Sequence, residues 1–172
     1  MRKNYLLRSF AWALIMVLPL AFSNCSKSSN DSVTPSSVEG NWKITSMKIN
    51  PAVDTGIFGT IDDFYQLFVA LGAETCLKEL TLTLNSNGTT SSNNPASCQD
   101  GTDELSDVAP VSNNGKWVMS GNKLTITNSD GTIENYDTAI SGNTLTLTAK
   151  KQVGDKDGNP VNATMTIVLT RA

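Results

Sequence analysis

The second half of the chain carries a hydrophobic pattern of period two, which limits the fold to an antiparallel β-structure. Leucine and isoleucine alternate with threonine in residues 120–127, Ser-Gly-Asn-Lys-Leu-Thr-Ile-Thr, and again in residues 141–148, Ser-Gly-Asn-Thr-Leu-Thr-Leu-Thr. Such alternation places the apolar and polar side chains on opposite faces of a strand. Each Gly-Asn pair stands where a hairpin turn would precede the strand. The repetition of this pattern therefore predicts successive hairpins of a meander.

The same pattern, with the turn residues between its segments, predicts eight strands. Sequential strands that share one apolar face favour an all-β fold, an eight-stranded up-and-down antiparallel β-barrel whose closure removes exposed edges. A β-sandwich is the alternative, because strand number alone does not separate the two. The predicted strands span about residues 41–49, 77–85, 88–92, 115–120, 122–128, 131–140, 143–150 and 161–171.

Two local features modify this plan. The apolar positions of the first strand change phase near Ser46, which predicts a bend or a β-bulge there. Between strands 1 and 2, residues 60–72 repeat apolar side chains at helical spacing, with Thr60 placed as the N-cap and Gly72 as the stop. We expect one short amphipathic helix that packs on the barrel rather than on a membrane, since no basic residue flanks it.

The N-terminus has the pattern of an export signal. Basic residues precede an apolar run from Phe10 to Phe22 that is shorter than the roughly 20 residues of a membrane-spanning helix. Cys25, directly after small residues, resembles the lipidated cysteine of a bacterial lipobox; a free cysteine beyond an ordinary cleavage site is the alternative. We therefore expect a signal peptide at 1–24, a lipidated Cys25 with a flexible tether at 25–37, a barrel at 38–172, and an outer-membrane lipoprotein of the cell envelope.

The remaining cysteines form an even pair. If Cys25 carries lipid, Cys76 and Cys98 are left in an oxidising compartment, and we predict a disulfide between them. In the chain-entropy model a loop of about 22 residues contributes about 3 kcal/mol. A redox role is disfavoured because the spacing differs from Cys-x-x-Cys.

Composition excludes several functions. Histidine is absent, which removes the commonest general base and the commonest transition-metal ligand. Without its first 24 residues the chain has 10 basic and 16 acidic side chains, and an acidic protein binds nucleic acid poorly. We expect no enzyme activity, no cofactor, no metal and no nucleic-acid partner. Residues 155–159, Asp-Lys-Asp-Gly-Asn, resemble a calcium loop faintly, but their dipeptides are typical of a turn.

Several short motifs, taken in order, resemble the lipocalin-like lipoprotein domains of Bacteroidetes. They are Gly40-Asn41-Trp42-Lys43-Ile44, Cys76-Leu77-Lys78-Glu79, Asn87-Gly88-Thr89, Cys98, Gly115-Lys116-Trp117 and residues 121–126. The resemblance implies a calycin-type barrel with an N-terminal lipid anchor and brings no established activity. It also implies a barrel-end structure of Gly40, Trp42 and Arg171, with the arginine over the tryptophan ring. The Thr-Asp-Tyr signature of true lipocalins is missing, with Asn135-Tyr136-Asp137 only nearby.

The function expected of such a barrel is to bind or carry a small apolar ligand. Apolar pockets with few polar groups are the usual form of such sites. The alternative is a non-enzymatic structural or interaction lipoprotein with a filled barrel that acts through its loops; its protein partner is unknown. The residues predicted to line the ligand site are Leu82, Leu84, Trp117, Met119, Leu124, Leu145 and Ile167.

Overall fold

The chain folds around a single antiparallel sheet in the computed structural model, which describes residues 33–98 and 113–172. The predicted signal peptide and Cys25 lie outside these residues, as does most of the predicted tether. The strands are β1 Gly40–Asp54, β2 Thr60–Asp63, β3 Leu82–Leu84, β4 Thr90–Ser92, β5 Lys116–Ser120, β6 Lys123–Thr127, β7 Ile133–Ser141, β8 Thr144–Gly154 and β9 Pro160–Arg171. The helices are α1 Pro35–Val38, α2 Phe64–Ala70 and α3 Glu74–Glu79, with a 3-10 turn at Ala96–Cys98.

Eight of these strands form the predicted up-and-down barrel. Their order is β4-β3-β1-β9-β8-β7-β6-β5, and β2 pairs with β1 off this path. The two outer strands meet through the antiparallel bridge between Thr89 and Lys116. The backbone N–H of Trp117 also donates to Gly88 O at 2.8 Å, and that of Thr90 donates to Gly115 O at 3.0 Å. The barrel is therefore nearly closed, and few edge groups are left to pair with another chain.

Strand β1 contains the predicted bulge. Its register against β9 shifts between Ile44, which faces Leu169, and Ser46, which faces Val168. Trp42 and Ile44 are buried before the shift, and Met47 after it, so the extra residue keeps both groups of apolar side chains in the interior.

The two Gly-Asn pairs form the two-residue turns of β-hairpins, as predicted. Ser120 pairs with Lys123 across the first turn, and Ser141 pairs with Thr144 across the second. Gly121 and Gly142 have φ of +61° and +56°, a region that glycine enters without the steric cost that a side chain imposes. Glycine at the first turn position thus fixes the register in which leucine and isoleucine face the interior.

The connection between β1 and β3 differs from the prediction of one short helix capped by Thr60. Residues Thr60–Asp63 form β2 against the far end of β1, and the helix begins only at Phe64. Its N-cap is Asp63, whose Oδ1 accepts from the backbone N–H of Gln66 at 3.1 Å. Phe68 packs in the core, so the helix does lie on the barrel. Thr60 cannot cap the helix because its own backbone pairs with Asp54.

A second helix replaces the start of the predicted strand 77–85. Helix α3 spans Glu74–Glu79 because Cys76, Leu77 and Leu80 follow helical rather than alternating spacing, and all three are buried. Only Leu82–Leu84 remain extended. Among residues 33–98 and 113–172, no helix is long and apolar enough to cross a membrane.

The described residues include a short segment ahead of β1. Pro35–Val38 form the short helix α1, and Val38 is completely buried. Val33 packs against the core from outside. The backbone ahead of β1 is held here because it bonds to Arg171, as described below.

Candidate functional site

Consecutive strands run antiparallel, so their connections alternate between the two ends of the barrel. One end, here named the tryptophan end, has the start of β1, the end of β9 and the tight turns at 85–89, 121–122 and 142–143. The other end, here named the loop end, has the longer connections at 55–81 and 93–115 and the turns at 128–132 and 155–159. The two ends have different chemistry.

The tryptophan end is plugged by the contact that the family resemblance predicts. The guanidinium carbon of Arg171 lies 4.5 Å from the centre of the Trp42 ring, within cation–π range. Arg171 Nη1 donates to Glu39 O at 3.0 Å, and Nη2 donates to Ser37 O at 2.8 Å. The Trp42 indole Nε1 donates to Val38 O at 2.8 Å, so ring and guanidinium both fasten the incoming chain.

Gly40 allows this arrangement for two reasons. Its φ of +124° lies in a region that side chains disfavour. A Cβ at this position would also lie 2.7 Å from Arg171 Nη1. The barrel-end group of Gly40, Trp42 and Arg171 is therefore a structural lock.

The interior changes character from the tryptophan end to the loop end along β1, β9 and β8, as the register shows. Nearest the tryptophan end are branched aliphatic side chains. Next comes a mixed row, and then rows in which alanine, methionine and lysine appear. In order, these rows are Ile44–Leu169–Leu145, Met47–Ile167–Leu147, Ile49–Met165–Ala149 and finally Ala163–Lys151. Along these three strands, smaller and more flexible side chains thus lie towards the loop end. There Phe64 of α2 packs against the cluster that contains Ile49 and Ala163.

The seven predicted ligand-lining residues all point into the interior. Six are almost completely buried, and Met119 is partly buried against the same core. Leu82 and Leu84 pair with β1 at the tryptophan end. Met119 and Leu124 instead share a register row with Tyr136, and Trp117 shares a row with Glu134. The structure brings them together in one core.

Three polar side chains, here named the polar trio, lie on the inner face of the barrel wall near the loop end. They are those of Glu134, Tyr136 and Lys151. Lys151 Nζ forms an ion pair with Glu134 Oε2, and both side chains are largely buried. Lys151 Nζ also lies 6.0 Å from the centre of the Tyr136 ring. Burial, with the charge of Glu134 as the smaller cause, raises the pKa of the Tyr136 hydroxyl well above its ordinary value, so the phenol is neutral.

The β-ladder between β7 and β8 ends close to this trio. Its last pair is Asp137 with Thr148. Beyond that pair, β8 continues against β9 as far as Gly154, and β7 continues against β6 as far as Ile133. Beyond the end of this ladder, the Glu134–Lys151 ion pair links β7 to β8 across the barrel wall.

A cleft lies against the loop-end parts of β8 and β9. It has a volume of about 590 Å³, which is within the usual range of small-molecule sites. Two of its lining residues, Ala163 and Lys151, have side chains on the inner face of the barrel. They form the last of the interior rows described above. The lining residues are Lys150, Lys151, Gln152, Asn162, Ala163 and Thr164.

The predicted disulfide is present. Cys76 in α3 is bonded to Cys98 at the end of the 3-10 turn, with an S–S distance of 2.01 Å. Nearby, Glu79 Oε2 accepts from the Ser97 hydroxyl at 2.6 Å, and Asn93 Nδ2 donates to Glu79 O at 2.9 Å. The bridge thus fastens one long loop-end connection to the helix of another.

The acidic loop between β8 and β9 is a turn. Asp155 Oδ1 accepts from the backbone N–H groups of Asp157 and Asn159, at 2.9 and 2.8 Å. The Asn159 side chain also donates to Asp155 Oδ2. Bonds from the Asn159 backbone and side chain lower the pKa of Asp155 from its ordinary value. In the described parts of the chain, no group of three or more His, Cys, Asp or Glu side chains could hold a metal.

The sequence analysis did not single out Glu134 or Lys151, and it named Tyr136 only as part of Asn135-Tyr136-Asp137. Their positions in the alternating pattern of β7 and β8 place them on the same face as buried Thr138 and Leu147. The alternation of buried and exposed residues therefore indicates that the charged side chains of Glu134 and Lys151 face the interior. The pairing partner across the wall depends on strand register, which a single sequence does not provide.

A nearly closed eight-strand barrel with an arginine over a buried tryptophan at one end defines a lipocalin-like class of β-barrel. A protein-family model described as "Lipocalin-like domain" matches residues 38–147, more than half of the sequence, and the chain belongs to this family. Comparisons with curated proteins and with solved structures found no match to the chain. Proteins of this family typically bind ligands rather than catalyse reactions.

Proposed function

We propose that this protein is a lipid-anchored binding protein of the cell envelope that holds a small apolar ligand inside its barrel. The observation that carries the proposal is the interior gradient. Leucine and isoleucine fill the tryptophan half, whereas Ala149, Ala163 and Met165 line the loop half beside a cleft of about 590 Å³. Methionine adapts to irregular shapes and alanine leaves room, which suits a site that admits a guest.

The binding part of the proposal is tested by titrating the full chain with apolar probes. Ala163→Leu would fill the interior at the loop end, and we expect it to weaken binding at least tenfold while the barrel stays folded. Ala139→Leu, an exposed position on β7, is the matched control that should bind as the wild type does. Equal binding by wild type and Ala163→Leu would place the ligand elsewhere.

The anchoring part of the proposal rests on Cys25 and its resemblance to a lipobox cysteine. Cys25 would carry the lipid, residues 1–24 would be removed as the signal peptide, and the outer membrane would hold the protein. Cell fractionation with radiolabelled fatty acid tests this part. We expect Cys25→Ala to lose both the label and the membrane association, whereas retention of the variant in the membrane fraction would contradict it.

An interaction role is the second candidate, and one exposed loop favours it. Ile57 is 91% exposed and Phe58 49% exposed at the turn between β1 and β2. Two adjacent apolar side chains at a loop tip are a recognisable contact point. Crosslinking in the intact envelope tests this role: one stoichiometric partner, lost when both residues are replaced by serine, would support it, and ligand binding would then be secondary.

A further inference from the structure

The polar trio at the loop end has an unusual balance of charge for an interior site. Glu134 and Lys151 neutralise each other in an ion pair that solvent reaches only in part. The third member, Tyr136, is 3% exposed and stays neutral. A second molecule that enters this region therefore meets no net charge, and it meets one phenolic donor.

The Tyr136 hydroxyl has no protein partner among the residues described, although it can both donate and accept a hydrogen bond. Every completely buried side-chain nitrogen or oxygen in these residues does have a partner. The hydroxyl therefore borders open space and is not sealed in the core. A buried residue with an unpaired polar tip that is not sealed in the core is able to bond a guest.

A carboxylate guest suits this site poorly. It would lie beside the carboxylate of Glu134 at low dielectric, where like charges repel strongly. It would also have to compete with Glu134 for the ammonium group of Lys151. A neutral oxygen, by contrast, can accept the phenol proton of Tyr136 and leave the ion pair intact.

We propose that the loop half of the barrel selects an uncharged amphiphile whose head group, a hydroxyl or carbonyl oxygen, accepts a hydrogen bond from Tyr136 while the carboxylate of Glu134 disfavours anionic head groups. This inference rests on the proposed function, since it names the ligand class for the same barrel. It makes Tyr136 a head-group donor and makes Glu134 the residue that determines selectivity.

The test compares decanol with decanoate, which share a chain and differ in head-group charge, by calorimetric titration of the full chain at pH 8. We expect wild type to bind decanol at least tenfold more tightly than decanoate. Tyr136→Phe removes one neutral hydrogen bond and should weaken decanol binding about 3- to 10-fold. Tyr65→Phe, on α2, is the control and should change neither affinity.

Glu134→Gln gives the sharper result because it leaves Lys151 without its counter-charge. We expect this variant to bind decanoate more tightly than wild type does and to narrow or reverse the preference. Asp137→Asn is the matched control, since it unpairs Lys123 in an exposed ion pair on the outer face of the same strand. It should leave both affinities unchanged.

The outcomes separate the two proposals. If wild type prefers decanol but Tyr136→Phe binds it equally well and Glu134→Gln keeps the same preference, the roles given to these residues are wrong but the binding function stands. A wild-type preference for decanoate overturns the ligand class in the same way. If wild type binds neither probe while its circular dichroism shows a folded barrel, both proposals fail.

Discussion

At the scale of single residues, the tryptophan end is the most closely determined part of the protein. Trp42, Arg171 and Gly40 depend on one another, because the guanidinium occupies the space that any Cβ at position 40 would need. The motif is short, and the resemblance to lipocalins was what predicted the contact between Arg171 and Trp42. The polar trio could not be predicted in the same way, because it joins two strands whose ladder ends before the residues meet.

Gly40→Ala should destabilise the barrel by about 1 to 3 kcal/mol, since alanine must adopt a positive φ and displace Arg171 from its bonds. Urea unfolding measures the change. Gly154→Ala is the matched control, because Gly154 has no atom within 4 Å of an added Cβ and no positive φ. Equal stability of the two variants would show that position 40 tolerates a side chain beside Arg171.

Asp155 should titrate below its ordinary pKa of 3.8, because hydrogen bonds from Asn159 favour the ionised carboxylate. With the folded pKa depressed, its contribution to stability is complete above the unfolded value and is lost as the pH falls through the folded value. Carboxyl NMR measures the midpoint, and Asn159→Ala should move it upward. A midpoint at or above 3.8 in the wild type would contradict the turn geometry.

At the scale of elements, strands were more predictable than the connection between β1 and β3. Alternation and Gly-Asn turns set the strands from β5 onward within a few residues. In the connection, Leu80, Leu82 and Leu84 also alternate, but burial of Cys76 and Leu77 favours a helix before them. Tertiary packing decided between two patterns that the local sequence allowed.

Asp63→Ala should cost about 1 kcal/mol, because it removes the side-chain cap of α2. Asp63→Asn should retain most of the stability, since asparagine caps a helix equally well. Asp62→Ala, an exposed neighbour, serves as the control in the same thermal unfolding series. If Thr60→Ala proves as destabilising as Asp63→Ala, the helix begins earlier than the structure shows.

Replacing both Cys76 and Cys98 by serine should destabilise the domain by about 3 kcal/mol, because the bridge closes a loop with a sequence separation of 22 residues. The wild type unfolded in a strong thiol reductant should match the double variant. Unchanged unfolding in either experiment would mean that the surrounding hydrogen bonds alone hold the loop end.

At the scale of the whole molecule, the two barrel ends divide the tasks of stability and binding. The tryptophan end holds the incoming chain and the large aliphatic side chains. The loop end combines small interior residues, a neutral ion pair and a buried phenol with the disulfide-linked connections. The strand pattern predicted the barrel and the family resemblance predicted its plug, whereas the division between the halves follows only from the strand register.

The central claim is that the loop half holds a small molecule, and native mass spectrometry of the protein purified from the cells that make it tests this most directly. The account predicts a discrete additional mass that organic extraction removes, and reduced occupancy in Tyr136→Phe prepared in parallel. The released molecule should be uncharged. A folded protein that shows the polypeptide mass alone, with any lipid at Cys25 accounted for, would contradict the claim.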